Sequence, residues 1–476
     1  MVLQQNFEQM NENLLKYIIL FAVVILVVYV VAKNWETLKN ISKIEDLRKR
    51  ILTTVLFIAV YRLGTHILLP GIDASMLTNL QRQTSSGLLS LLDMFSGGAF
   101  SNASIFALGI MPYISASIVL QLLTIAVPSF QKLQKEGESG RMKINQYTRY
   151  LTLFILIIQG PSYLLNLKHQ IGAGMNPPVD WTTFIITSTL ILAAGSSFIL
   201  WLGERITDKG IGNGVSFIIM VGIIARFPSA FMQELTSRMS SIGAAGGGLV
   251  MFLFEIIVLL LATAGTIMLV QGVRKVPVQY AKRIEGGRQI GGARQYIPLK
   301  VNAANVMPII FAQAIMFIPI AIVGTGEQSG FALKLMDTDG WVYNVIYAVL
   351  IIVFTIFYTA VTVNPQQMAD DLKRNNGFIP GVKPGKPTAD YIDTVMSRIT
   401  WPGALFLTVI AIMPAFARLF GVNQAFAQFF GGTSLIILVG VVLDTLQQVE
   451  SHLLMRHYDG LLKTGRIKGR AGLNAY

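Results

Sequence analysis

The 476-residue chain contains no cysteine, so disulfides, thiolate nucleophiles and cysteine-built metal sites are all absent. Histidine is nearly as scarce. His66, His169, His452 and His457 are scattered and leave little for a metal cluster. Charge is low as well: 13% of residues are Asp, Glu, Lys or Arg, while 53% are hydrophobic. A soluble domain carries about 25% charge, so a disordered tail is excluded and an ordinary soluble enzyme is disfavoured. What charge there is leans one way, with 38 Lys and Arg against 25 Asp and Glu, a net +13. The composition is that of an all-α polytopic membrane protein.

A membrane-crossing helix needs about 20 mostly apolar residues. Eleven segments meet this: 14–32, 51–70, 103–128, 150–167, 181–203, 214–228, 249–271, 302–324, 341–363, 400–417 and 431–450. A twelfth apolar run, Gly87 to Phe100, is too short and too glycine-rich to cross. Lys and Arg favour cytoplasmic loops, and thirty of the 38 fall on alternate loops starting with 33–50. Seven lie toward the other face (Lys16, Arg82, Lys168, Arg226, Arg238, Lys334 and Arg418), and Arg62 sits inside a span. This alternation places the N-terminus outside and the C-terminus inside. The leading span reads as an uncleaved anchor: Glu8 and Glu12 outweigh Lys16 in what would otherwise be the basic region of a secretory signal. The remaining ten spans divide five and five around 229–248, where Gly243 to Gly248 suggests a hinge. Because five is odd, two such halves would form an inverted repeat with a path at their interface.

A secondary transporter for a small solute is the commonest function of such a chain, and the alternative to keep in view. Ion-coupled transport usually leaves ionisable groups at mid-membrane. Here Arg62, His66, Glu255 and Asp444 lie within spans, each open to helix pairing or an interface, and no carboxylate pair faces a solute site. Two apolar spans instead carry a Met-Pro step, Met111-Pro112 and Met307-Pro308, where an internal proline would bend the helix. Enzyme motifs fail. Gly210-Ile211-Gly212-Asn213-Gly214 lacks the dinucleotide spacing, and Gly381 to Pro387 has the wrong spacing and a proline where Ser or Thr would hold magnesium. No cofactor is called for, and any driving force must come from a partner. The loops 272–300 and 364–399 are long, turn-rich and basic, suited to anionic lipid, to RNA phosphate or to a partner that reads shape.

Several runs resemble the SecY family, the channel subunits of the bacterial protein translocase. They are Asp93 to Phe100, Ala103 to Ser117, Lys135 to Arg141, Trp201 to Glu204, Lys209 to Gly214, Tyr280 to Arg283, Pro298 to Asn302 and Phe430 to Leu435. The resemblance implies ten helices in two inverted halves (41–240 and 241–450) around an hourglass pore, with an additional segment 1–40 and a basic tail 451–476. It implies a ring of aliphatic residues at Ile110, Ile114, Val215, Ile219, Ile310 and Ile437. It implies a re-entrant plug helix within 87–100, including Leu88, Leu91, Leu92, Met94, Phe95, Gly97 and Gly98. A lateral gate would lie between the second and seventh core spans, at Pro112, Ser115, Gln121, Asn305, Pro308 and Gln313.

The same resemblance implies passage of unfolded secretory proteins across, and of membrane helices sideways into, the bacterial cytoplasmic membrane. The motor SecA or the ribosome would dock at Arg274, Lys275, Lys282, Arg283, Lys373, Arg374, Lys383 and Lys386. Implied partners are the small subunits SecE and SecG, YidC and SecDF-type proteins, secretory preproteins with their signal peptides, and anionic lipids. Two features depart from the pattern. Lys383 stands where arginine is expected, which keeps the charge but loses the planar fork, and the leading span has no family counterpart.

Overall fold

A computed structural model of the protein describes residues 44–72, 93–171, 180–240, 248–280, 283–285, 288–290, 294–323 and 340–463. The segment 14–32 lies outside these. A helix occupies each of the ten remaining expected positions: α1 (Glu45–Gly64), α2 (Met111–Ala126), α4 (Glu138–Ile171), α5 (Trp181–Lys209), α6 (Gly214–Ser240), α7 (Gly248–Gln271), α8 (Met307–Val323), α9 (Trp341–Thr362), α11 (Lys386–Leu419) and α13 (Gly432–Lys463). Between them stand the shorter helices α3 (Pro128–Lys135), α10 (Pro365–Arg374) and α12 (Gln424–Ala427). Among the described residues, seven helices are long and apolar enough to cross a membrane, and the bent pair of α2 and α3 makes an eighth. On α7 the side chains of Leu253, Leu260, Leu261 and Met268 are exposed. Such a row is unstable in water and suits lipid, where exposing apolar surface costs nothing.

The helices pack in sequence neighbours and then close on each other. Helix α5 packs on α1, α4 and α6, while α13 packs on α6, α7 and α11. Two of the resulting apolar cores join helices distant in the chain. One joins Tyr61, Phe106, Ile199, Leu202, Ile206 and Ile223 to Phe426, Phe430 and Ile437, and the other joins α7, α8, α9, α11 and α13 through Ile309, Ile351, Leu407 and Ile436. Close approach depends on missing side chains. A Cβ at Gly214 would lie 1.9 Å from the Gly203 carbonyl oxygen, so the α5–α6 turn admits only glycine there. The glycine-rich run 210–214 is therefore a packing turn. Thr54 accepts from the Ile211 N–H at 3.2 Å and Gln448 from the Gly212 N–H at 2.8 Å.

Three expectations about local structure change. The Met-Pro steps do not kink their helices: α2 starts at Met111 and α8 at Met307, so each proline stands in the first turn. There its missing N–H has no partner to lose and its fixed φ favours the helix. Residues ahead of each start are turns, with Ala103 (φ 45°), Gly109 (φ 54°) and Asn305 (φ 51°) in the left-handed region. Of the expected plug helix, the described residues are helical at 93–95 and continue as turns over 96–100. Gly97 (φ 64°) and Gly98 (φ 92°) hold conformations that end a helix. Finally, the expected loop 229–248 is mostly helix, since α6 runs on to Ser240 despite Pro228.

The two long basic loops fold into one body. Strands β1 (Val273–Tyr280) and β4 (Arg294–Lys300) pair antiparallel, and β5 (Gly377–Phe378) adds to the other edge of β1. A small hairpin of β2 (Arg283–Glu285) and β3 (Arg288–Ile290) lies between them in sequence. Alternate β1 residues Val276 and Val278 point inward. They meet Leu299 of β4, Leu372 of α10, Ile379 just after β5, and Ile392 and Met396 of α11 in a separate apolar core. These strands stand within an otherwise helical chain, where the turn residues alone suggested loops.

Candidate functional site

A cavity of about 670 Å³ opens among α2, α4, α5, α6, α8 and α13. Ile114 of α2, Val215 and Ile219 of α6, Ile310 of α8 and Ile437 of α13 line it, five of the six expected ring residues. The sixth, Ile110, does not line the cavity. It is buried (4% exposed) in one apolar core with Ile219 and Ile437. Met94 and Phe95, both expected in the plug, belong to that same core. Through Ile219 and Ile437 the cavity lining thus joins an apolar floor, the core that also holds Ile110, Met94 and Phe95. Its lining also carries polar side chains: Arg149, Glu204, Asp208, Asn213, Lys300, Asn302, Asn305 and Asp444. Arg149 donates to Glu204 from Nε (3.0 Å) and Nη2 (2.6 Å), tying α4 to α5.

The segment after the expected plug start is held from three helices. Residues 93–101 are all buried. Asp93 pairs with Arg226 of α6, and its Oδ1 accepts from the Ser101 N–H at 2.8 Å. Arg226 also donates to the Ser101 hydroxyl at 2.8 Å. From α1, the Tyr61 hydroxyl donates to the Ser96 carbonyl (3.1 Å) and Arg62 to the Gly97 carbonyl (2.9 Å). From α4, the Tyr163 hydroxyl donates to the Phe100 carbonyl at 3.0 Å. A Cβ at Gly97 would lie 2.8 Å from Gly222 Cα, so the segment lies flush on α6. Gly98 fits in the same way beneath the Arg226 side chain. Leu88, Leu91 and Leu92 lie outside the described residues.

The expected gate residues are not gathered at one place. On α2, Pro112 is buried while Ser115 and Gln121 are half-buried. Next to α8, Asn305 lines the large cavity, and Pro308 is buried. Gln313 instead hydrogen-bonds Tyr347 and faces a separate small cavity of about 70 Å³ with Tyr343 and Arg418. Of the expected docking residues, Arg274, Lys275, Lys373, Arg374, Lys383 and Lys386 are exposed on the β-sheet body. Arg283 stands in β2, and Lys282 lies outside the described residues.

Site residues that motif reasoning passed over share a signal. Arg62, Arg226 and Arg238 are three of the basic residues that break the loop alternation, and each makes a buried or half-buried contact. Arg238 donates to Glu234 (2.8 Å), to Glu255 (2.5 Å) and to the Gly421 carbonyl (2.8 Å), while Glu234 accepts from the Asn423 N–H at 2.7 Å. This cluster binds α6 to α7 and to the turn after α11. A basic residue on the wrong side of the tally is thus a structural partner in waiting.

Comparison with known proteins decides the family. The SecY family model matches residues 104–446, more than half of the chain. The protein translocase subunit SecY of Streptomyces scabiei is 44% identical over 435 residues, covering 88% of this chain and 98% of its own length. The chain belongs to the SecY family.

Two solved structures share its fold, each covering 89% of this chain and 95% of its own length with a TM-score of 0.56. One, at 16% identity, is a SecY protein whose plug domain stabilises the closed state of the translocation channel and maintains a membrane seal. The other, at 15% identity, is Sec61 in the canine ribosome–channel complex from the endoplasmic reticulum. This SecY-family chain is accordingly a multi-pass membrane protein and a protein-conducting channel subunit. Driving by a motor or by the translating ribosome fits the family.

Proposed function

We propose that secretory chains pass through the 670 Å³ cavity and across an aliphatic ring of Ile110, Ile114, Val215, Ile219, Ile310 and Ile437, with 87–100 as the plug that closes it. The observation that carries this reading is the apolar floor, where Ile110, Ile219 and Ile437 share one core with Met94 and Phe95. An apolar constriction excludes ions by dewetting. It also closes around any side chain without holding one tightly, because branched aliphatic groups offer no directional bond.

The 41–240 and 241–450 halves would open sideways between α2 and α8, whose residues Ile114, Asn305 and Ile310 face the same cavity. The basic loops and the tail 451–476 would face the cytoplasm, with the N-terminus outside, in the bacterial cytoplasmic membrane. The β-sheet body would take SecA or the ribosome through Arg274, Lys275, Lys373, Arg374, Lys383 and Lys386. The ribosome on the canine Sec61 neighbour supports this. SecE, SecG, YidC, SecDF-type proteins and anionic lipids complete the expected partners, and segment 1–40 is an added anchor.

The absence of native cysteine makes the test clean. Single substitutions Ile219→Cys and Ile437→Cys, against Leu260→Cys on the exposed face of α7, are to be crosslinked to a secretory chain arrested in transit. Ring positions should react and the α7 position should not. Equal labelling of all three would sink the assignment, and saturable solute uptake without a motor would favour the transporter alternative.

A further inference from the structure

The mouth of the cavity has a charge of its own. On a chain of net +13, its lining holds three carboxylates, Glu204, Asp208 and Asp444, against two cations, Arg149 and Lys300. Glu204 is already taken by Arg149. Asp208 and Asp444 are exposed to the cavity, and among the described residues neither forms an ion pair. Both positions are unfavourable on local grounds. Asp208 stands in the last turn of α5, where the helix dipole disfavours negative charge. Asp444 lies on a membrane-crossing helix, where an ionised group is expensive. Neither placement helps the fold.

A third group has the same character. Asn302 is only 5% exposed and lines this cavity. Its Nδ2 donates to the Asn305 carbonyl at 3.2 Å, but its Oδ1 is buried without a hydrogen-bond partner. A buried acceptor left unsatisfied costs about 1–3 kcal/mol. The two free carboxylates and the buried amide oxygen of this mouth therefore outnumber its one cation without an ion pair among the described residues, Lys300, and they stand between the basic outer body and the aliphatic floor. Acceptors of this kind call for a cationic donor such as a lysine ammonium or an arginine guanidinium.

We infer that Asp208 and Asp444, with the Asn302 carbonyl, hold the basic flank of a polypeptide segment as its apolar part moves on toward the ring, and so determine which end of that segment stays on the loop side. This rests on the channel reading and deepens it by naming specificity-determining residues within the path. The ring cannot do this, since aliphatic groups do not distinguish a basic end from a neutral one. The exposed basic body cannot either, because it repels a cation.

The test uses the full chain with its partner subunits in membrane vesicles. Substrates carry one apolar segment preceded by zero, two or four lysines, and orientation is read by protease protection. The readout is the ratio of loop-side retention for lysine-flanked over neutral-flanked substrates, compared among wild type, Asp208→Asn, Asp444→Asn and the double variant. That ratio should fall about two- to fivefold per carboxylate removed and return with Asp208→Glu or Asp444→Glu. An unchanged ratio in the double variant overturns the inference, as does an equal fall for every flank. If wild type itself inserts neither substrate, it is the channel reading that fails.

Discussion

Replacing Arg226 with methionine tests whether the 93–101 segment is latched. The substitution keeps the stem of the side chain and removes the charge. Asp93 would remain buried, with its carboxylate 5% exposed and the Ser101 N–H as its surviving partner. Breaking a buried pair by removing one partner costs about 3–5 kcal/mol. Arg226 is 35% exposed, so solvent screening brings this to about 2 kcal/mol. The hydrogen bonds from Tyr61, Arg62 and Tyr163 remain, which keeps the segment seated in most molecules. A shift of about 2 kcal/mol raises the unlatched population roughly thirtyfold, from about 0.1% to a few per cent. Anion flux from vesicles holding the resting channel should rise by a similar factor. In Asp93→Asn/Arg226→Met the stranded charge is gone, so the leak should be smaller than in Arg226→Met alone. Flux at the wild-type level in Arg226→Met would refute the latch, and so would a double variant whose leak is the product of the two single effects.

Other consequences are as direct. Replacing Ile110, Ile219 and Ile437 together with glycine should raise ion leak through the resting channel, and unchanged conductance would remove the ring assignment. Arg238→Ala leaves Glu234 and Glu255 buried without their shared cation, side chains that are 1% and 3% exposed. Stability should drop by about 3–5 kcal/mol, read as a lower unfolding midpoint in detergent. Val278→Asp places a charge in the small core that joins β1 to α10 and α11 and should separate the two basic loops. Ribosome or motor binding should weaken severalfold while the apolar helices still insert, and unaltered binding would show that the loops dock independently.

Membrane class and helix positions were legible in the sequence because both rest on short-range rules. The length of an apolar run decides whether a segment can span, and loop charge decides its sidedness. Ten described helices stand where those runs lie. The Met-Pro steps mark the limit of such reading: a proline in an apolar run looks like a kink unless the preceding turn is known, and Ala103, Gly109 and Asn305 with positive φ supply that turn. The basic loops show the same limit, because Gly and Pro spacing reveals turns but not that Gln279 pairs with Phe378 across about a hundred residues.

The opening scarcity of charge thus has two explanations at two levels. The sequence by itself determined that the chain is a membrane protein, where its helices run and that its basic residues gather in alternate loops, since each follows from residues close along the chain. Only the tertiary structure decided that Arg226 meets Asp93, that Arg238 meets Glu234 and Glu255, and that Ile110, Ile219 and Ile437 share one apolar core with Met94 and Phe95. In a low-dielectric interior a buried charge is stable only beside its partner, and which partner comes near depends on how distant helices pack.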